Sequence, residues 1–247
     1  MSQRKRASEL ATTALPDAVL RPASGNAFEH AVEQLARAIR LGVLADGEQL
    51  PPERELAERL GISRNTLRDA IAALRESGLV TTRRGRGGGT TVTYAAELPS
   101  AAKGSFVRSG AAMADALDFR RIVEPGAAWL AATRSLSGDQ RAWLSQSLRE
   151  VDEAVEPATH RVADSRLHLA IATLSGSPML IDAVTRAQSA LHEMLTAIPV
   201  LRRNIEHSND QHDRIVAAVL TGDADGARAV MEEHCDATSA LLRGLIG

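Results

Sequence analysis

The chain holds one cysteine, Cys235, among its 247 residues. No internal disulfide can form, so the fold must stand on packing, and a reducing cytoplasmic setting is expected. Aromatic residues make up only 2% of the sequence. That scarcity argues against single-strand nucleic-acid binding by base stacking, which needs exposed rings. No apolar run approaches the roughly eighteen residues of a membrane span, so no membrane partner is expected. The first residues are basic at Arg4, Lys5 and Arg6 but lack an apolar core and carry Glu9 and Asp17. They do not read as a signal peptide. Enzyme signatures are missing as well: His192-Glu193 is followed by Thr196 where a zinc-protease motif needs histidine, and no GxSxG occurs. The stretch GRGGGT lacks the lysine of a phosphate-binding loop.

What is present is a charge asymmetry. The chain carries −2 overall, yet Arg59 to Ala95 is net +5 and Gly110 to Gly247 is net −6. A basic front module joined to an acidic rear module is the pattern of a DNA reader with a second function.

The basic module centres on Leu50 to Thr91. Pro51 and Pro52 suit the start of a helix, and Leu56, Ala57 and Leu60 supply its apolar face. Gly61 ends that helix, and Ser63 is a good N-cap for the next one. In the second helix Leu67, Ala70, Ile71 and Leu74 form one stripe, while Arg64, Asn65, Arg68 and Arg75 lie opposite. Gly78 stops it. Two short strands, Leu79 to Thr82 and Thr90 to Tyr94, flank RRGRGGG, a basic hairpin tip suited to phosphates or a minor groove. A helix–turn–helix reads the major groove through the start of its second helix, here Arg64, Asn65, Thr66 and Arg68. Arginine can fork onto guanine, asparagine can pair with adenine, and threonine can touch a thymine methyl group or a phosphate. Arg84 and Arg86 are the expected phosphate contacts of the hairpin. A solvated helical hairpin with ordinary surface arginines is the plainer alternative, and the added wing weighs against it.

The run from Leu35 to Val92 resembles the winged helix–turn–helix of the GntR family of bacterial transcription regulators, through IRLGVLADGEQLPPERELAERLGISRNTLRDAIAALRESGLV and the glycine-rich wing. The resemblance implies DNA contacts at Arg54, Arg64, Arg68 and wing glycines such as Gly87, with Ser63 at the helix start. Pro52 stands where Ser or Thr is common in that family.

The expected organisation is a disordered tail over 1–25, a small α+β winged helix–turn–helix over 26–95, a linker over 96–110 and an all-α domain over 111–244. The fold is therefore mainly α. Phe28 to Leu41 opens the DNA module. The rear module shows only helical periodicity, at 112–134, 138–154, 158–175, 178–197, 202–221 and 223–243. Short breaks between these segments predict an antiparallel bundle of six or seven helices.

Asp164 and His168 are spaced i,i+4 and share a helical face beside Leu167 and Ile171. His212 lies on the stripe of Ile215, Val216 and Val219, and His234 on that of Ala227, Val230 and Met231. Three helices thus aim titratable groups into one bundle, and a divalent metal would satisfy them. A lone histidine on an apolar face is more often a hydrogen-bonded core residue, so periodicity alone leaves both readings open. Cys235 points about 100° away from His234 and is not taken as a ligand. His192 and His207 read as surface or rim residues.

The segment after Gly110 resembles the FCD ligand-binding domain of the FadR-type branch of the GntR family, through LDFRRIVEPGAAWLAATR, ADSRLHLAIATLSGSPML and QHDRIVAAVLTGDADGARAVMEEH. That resemblance implies Asp164, His168, His212 and His234 as ligands of a divalent metal, zinc foremost, with nickel, manganese and iron as alternatives. It also implies an effector bound at the metal. Arg120 is the candidate partner of an effector carboxylate, because it shares an i,i+4 face with Glu124; a surface ion pair is the alternative.

The expected function is a homodimeric, cytoplasmic, sequence-specific regulator, taken as a repressor. It would bind an inverted-repeat operator in double-stranded DNA, modulated by a small carboxylate metabolite. Two alternatives stand beside it: a metal-dependent enzyme acting on a small acid, and a regulator whose metal is purely structural.

Overall fold

The computed structural model describes residues 14–20, 22, 27–83, 88–94, 110–198 and 201–246. They form two compact units, one within Thr13–Ala96 and the other from Glu97 onward.

The first unit opens with a short helix, α1, over 14–19. Leu15, Ala18, Val19 and Leu20 are buried, and Asp17 pairs with Arg59 at 2.5 Å. This part of the expected tail is therefore structured, because its apolar residues are buried. Helix α2 (Ala27–Arg40) buries Ala31, Leu35, Ala36, Ala38 and Ile39 on one face. Helix α3 (Glu53–Leu60) starts at Pro52 with no side-chain cap, the consequence of proline in a position suited to a hydroxyl. It ends at Gly61, whose φ of 64° is the left-handed conformation that glycine adopts without penalty. Two residues later the Ser63 side chain accepts from the Thr66 N–H at 3.1 Å and starts α4 (Arg64–Glu76). The four apolar residues expected on its inner stripe, Leu67, Ala70, Ile71 and Leu74, are all buried. Burial of each large aliphatic side chain contributes about 1.5–3 kcal/mol. That sum fixes which side of α4 faces solvent.

Strands β1 (Val80–Arg83) and β2 (Gly89–Val92) pair antiparallel, with Val80 opposite Val92 and Arg83 opposite Gly89. A bridge from Gln49 to Thr91 ties the turn before α3 to the hairpin. The hairpin tip, with the predicted contacts Arg84, Arg86 and Gly87, lies outside the described residues, as does most of the predicted linker.

Among the described residues the second unit contains six helices: α5 (Gly110–Ala132), α6 (Gly138–Glu153), α7 (Pro157–Leu174), α8 (Pro178–Leu195), α9 (Arg202–Thr221) and α10 (Ala224–Ile246). Their ends follow local chemistry. Ser137 and Gln140 form a reciprocal capping box before α6, Ser177 caps α8, and Gly222 closes α9 at φ 80°. Helix α5 is central, packing against α7, α8, α9 and α10. Any polar residue on its inner face must find partners within the bundle.

Candidate functional site

In the winged unit, Ser63, Arg64, Asn65 and Arg68 are exposed and Thr66 is half-buried. The start of α4 thus presents the side chains that the sequence singles out. Arg54 is exposed on α3, 3.6 Å from Glu58. Arg68 Nε donates to Glu53 Oε2 at 2.8 Å, an exposed pair between the two helices. Such a pair contributes at most about 1 kcal/mol, so a DNA base or phosphate can displace the carboxylate. Arg68, Arg75, Arg83 and Gln49 line a groove between α4 and the hairpin. This places several guanidinium groups on one surface, as phosphate binding requires.

In the helical unit, His168 from α7, His212 from α9 and His234 from α10 converge. One ring nitrogen from each lies within 4.8 Å of the others, and all three residues are buried. His168 Nε2 and His212 Nε2 are 3.3 Å apart. Ligands of a tetrahedral first-row metal stand about 3.4 Å from each other, so the spacing fits a shared ion. Asp164 Oδ1 lies 3.5 Å from His212 Nε2. Three of the four predicted ligands therefore share one point, and the fourth, Asp164, stands beside His212.

Two of the imidazoles face side chains outside the predicted site, while His212 Nδ1 has no hydrogen-bond partner. His168 Nδ1 lies 2.8 Å from Glu124 Oε2, a short but bent contact. His234 Nδ1 faces Gln211 Oε1 at 3.2 Å, and Gln211 Nε2 donates to Glu233. A carboxylate or amide behind a histidine sets its tautomer and turns the other nitrogen inward. Burial pushes the His212 pKa down to about 4, with Asp164 opposing and His168 reinforcing that shift. Burial also holds His234 well below the ordinary histidine value. Both rings are neutral near pH 7, the form that carries a metal-binding lone pair.

Arg120 and Glu124 are both 1% exposed and joined at 3.1 Å, so the surface ion pair is ruled out. Burial would raise the Glu124 pKa. The Arg120 charge, His168 and a 2.7 Å hydrogen bond from Gln188 outweigh that and lower it to about 2. Burial works against the Arg120 charge, yet Cys235, Glu124 and Asp164 around it raise its pKa above the ordinary value. Arg120 Nη1 and Nη2 nonetheless have no hydrogen-bond partner. The Cys235 thiol, pushed up to about 12 mainly by burial, stays protonated beside Glu124. It is no thiolate ligand.

Arg120, Asp164 and His234 border a cavity of about 80 Å³. His160 also lines it and had no role in the sequence reading; its Nε2 meets Asn209 Oδ1 at 3.1 Å. His192, expected at the surface or rim, is buried, because α8 turns that face toward the bundle, whereas His207 is exposed.

A winged helix–turn–helix with a separate helical unit that holds a buried histidine cluster beside a cavity is the plan of a two-part transcription regulator. The chain belongs to the GntR family. Residues 27–92 match the bacterial regulatory proteins of the gntR family, and residues 115–237 match the FCD domain. It is 33% identical over 210 residues to the protein named RmpR of Mycobacterium gastri, covering 82% of this chain and 75% of that one. It is 32% identical to an Escherichia coli K12 protein named for the regulation of an L-lactate dehydrogenase operon, covering 77% of this chain and 76% of the relative. It is 29% identical to the Glc operon transcriptional activator of the same strain, covering 83% and 85% of the two chains. Among solved structures, E. coli McbR/YncC shares the fold with a TM-score of 0.55 at 18% identity, over 89% of this chain and 98% of that one. The matched domains and relatives belong to DNA-binding transcription regulators, and the chain is a regulator rather than an enzyme. Among the described residues no helix is long and apolar enough to cross a membrane.

Proposed function

We propose that the chain is a homodimeric, cytoplasmic repressor whose hold on an inverted-repeat operator changes when a small carboxylate enters the helical unit. The observation that carries this reading is the Arg120 guanidinium: fully buried, charged, and with two unpaired nitrogens beside a cavity. Leaving such donors unmet costs free energy, whereas a carboxylate matches the fork with two parallel hydrogen bonds. His168, His212, His234 and Asp164 would hold a divalent metal, zinc by its preference for imidazole with carboxylate at four-coordinate sites. The metal would supply positive charge and an open position next to Arg120. The relative named for an L-lactate dehydrogenase operon is consistent with a small organic acid as the signal.

On the DNA side, Arg64, Asn65, Thr66 and Arg68 read bases, while Ser63, Arg54 and the wing residues Arg84, Arg86 and Gly87 approach phosphates. Two copies would place two such helices in successive major grooves. The effector acts only by binding the DNA-competent and DNA-incompetent states with different free energies.

The test is operator binding by fluorescence anisotropy, with and without a panel of small acids, before and after chelation. The reading requires an acid-dependent shift in operator affinity that chelation abolishes. Operator affinity untouched by every acid leaves a regulator with a structural metal. A protein blind to DNA sequence removes the DNA assignment altogether.

A further inference from the structure

The hairpin of the winged unit is held from one side by the segment that precedes α3. Three backbone hydrogen bonds join them: Gly47 N–H to the Val92 carbonyl at 3.0 Å, Val92 N–H to that of Glu48 at 2.9 Å and Leu50 N–H to that of Thr90 at 2.8 Å. Gln49 stands opposite Thr91, so the same register continued would set residue 52 opposite Gly88. Pro52 has no N–H to donate, and the chain turns there into α3. The backbone ladder therefore stops short of the Gly88 carbonyl. The Gln49 side chain takes its place: Nε2 donates to that carbonyl at 3.1 Å. It can lie there because residue 89 has no side chain, and a Cβ on Gly89 would fall 1.8 Å from Gln49 Nε2. Gly89 is also the strand partner of Arg83. Arg83 on the hairpin lines the same groove as Arg68 and Arg75 on α4.

We infer that Gln49 is a positioning residue of the DNA-binding surface: its amide, lying over Gly89, fixes the pose of the hairpin and so the place of Arg83 beside Arg68 and Arg75. The inference rests on the reading that this face meets DNA phosphates, and adds what holds its hairpin side. A ribbon of two four-residue strands is a weak structure by itself, and its twist is variable. A link at the Arg83–Gly89 pair, the last of the described register, acts where that twist would displace a guanidinium most. Hydrogen bonds to phosphate weaken steeply with distance and angle, so a small displacement is enough to lose one. The Gln49 bond is exposed and competes with water, so it adds little to folding. Its effect belongs to DNA binding instead. Phosphates carry no sequence information, so the loss falls on all duplexes alike.

The experiment is anisotropy titration of the full-length, zinc-loaded protein over a range of salt. Two probes are used: a duplex that the protein enriches from a random-sequence pool, and an unenriched duplex of equal length. Gln49→Met keeps the length of the side chain but has no donor. It is expected to weaken binding to both duplexes about fivefold and to lower the salt slope by about one, with the melting temperature unchanged. Gly89→Ala evicts the amide from the other side and is expected to do the same. In a Gln49→Ala background Gly89→Ala should add nothing, because the amide it collides with is gone. Wild-type affinity and salt slope in both single variants overturn the inference. So does a Gly89→Ala loss that persists without Gln49, and so does a Gln49→Met loss confined to the enriched duplex, which makes Gln49 a base contact. Arg83→Ala tests the reading beneath. If it leaves affinity and slope unchanged on both duplexes, that reading of the face falls and the inference with it; if it lowers them while Gln49→Met does not, only the inference falls.

Discussion

Arg68 in the winged unit and Arg120 in the helical unit each contact a carboxylate, at 2.8 Å and 3.1 Å. The distances are alike and the consequences are not. Arg68 is 55% exposed and its partner Glu53 39%. Water and salt screen that pair, and a phosphate or guanine edge can replace Glu53 at little cost. Arg120 and Glu124 are sealed inside the bundle. Removing either one strands a charge in a medium that cannot solvate it. The first arrangement suits a residue that must change partners on meeting DNA. The second suits a residue whose place is fixed before a ligand arrives.

The comparison can be broken by substitution, and the largest effect belongs to the buried side. Glu124→Leu is expected to lower unfolding stability by about 3–5 kcal/mol, because Arg120 then remains charged and unpaired. Urea denaturation of the metal-free protein measures this, and a loss under 1 kcal/mol would mean that the bundle lets water reach Arg120. Next in size is metal retention. Gln211→Ala leaves the three imidazoles in place but frees the His234 ring, and zinc affinity should fall by about 10–100-fold in competition with a chelator. Unchanged affinity would make Gln211 a packing residue only.

On the exposed side, Arg64→Ala or Arg68→Ala should each cost about 1–3 kcal/mol of operator binding, with base preference relaxed at one position and melting temperature unchanged. Equal losses on operator and unrelated DNA would reassign these residues to phosphate contact. The smallest effects concern supports. Ser63→Ala should lower stability by about 1 kcal/mol through the lost cap. Glu53→Ala should change stability by less than about 1 kcal/mol, and by freeing Arg68 it should tighten DNA binding slightly.

The helix boundaries in both units follow the sequence to within a few residues, because Gly61, Ser63, Ser137, Pro157, Pro178 and Gly222 act through their own backbone neighbours. The face of α4 was equally legible, since its apolar stripe leaves Arg64 and Arg68 nowhere to point but outward. Residues 14–19 are too short a segment to show a helical period, and they are held by burial of Leu15, Ala18 and Val19 and by the ion pair of Asp17 with the distant Arg59. His192 was misplaced because the expected rim position depended on how α8 is rotated against its neighbours. Glu124 was visible as a neighbour of Arg120, yet nothing local connects it to His168, 44 positions onward. Gln211 next to His212 likewise gave no sign that it would turn to His234.

The sequence alone determined helix lengths, the polarity of each face, the uneven charge and the identity of the groups able to bind metal, because these depend on residues three or four positions apart. Packing decided that three imidazoles share one point and that Arg120 keeps two donors free. Those outcomes depend on how separate helices pack and rotate against one another, a choice made by the total burial of their surfaces rather than by any one segment.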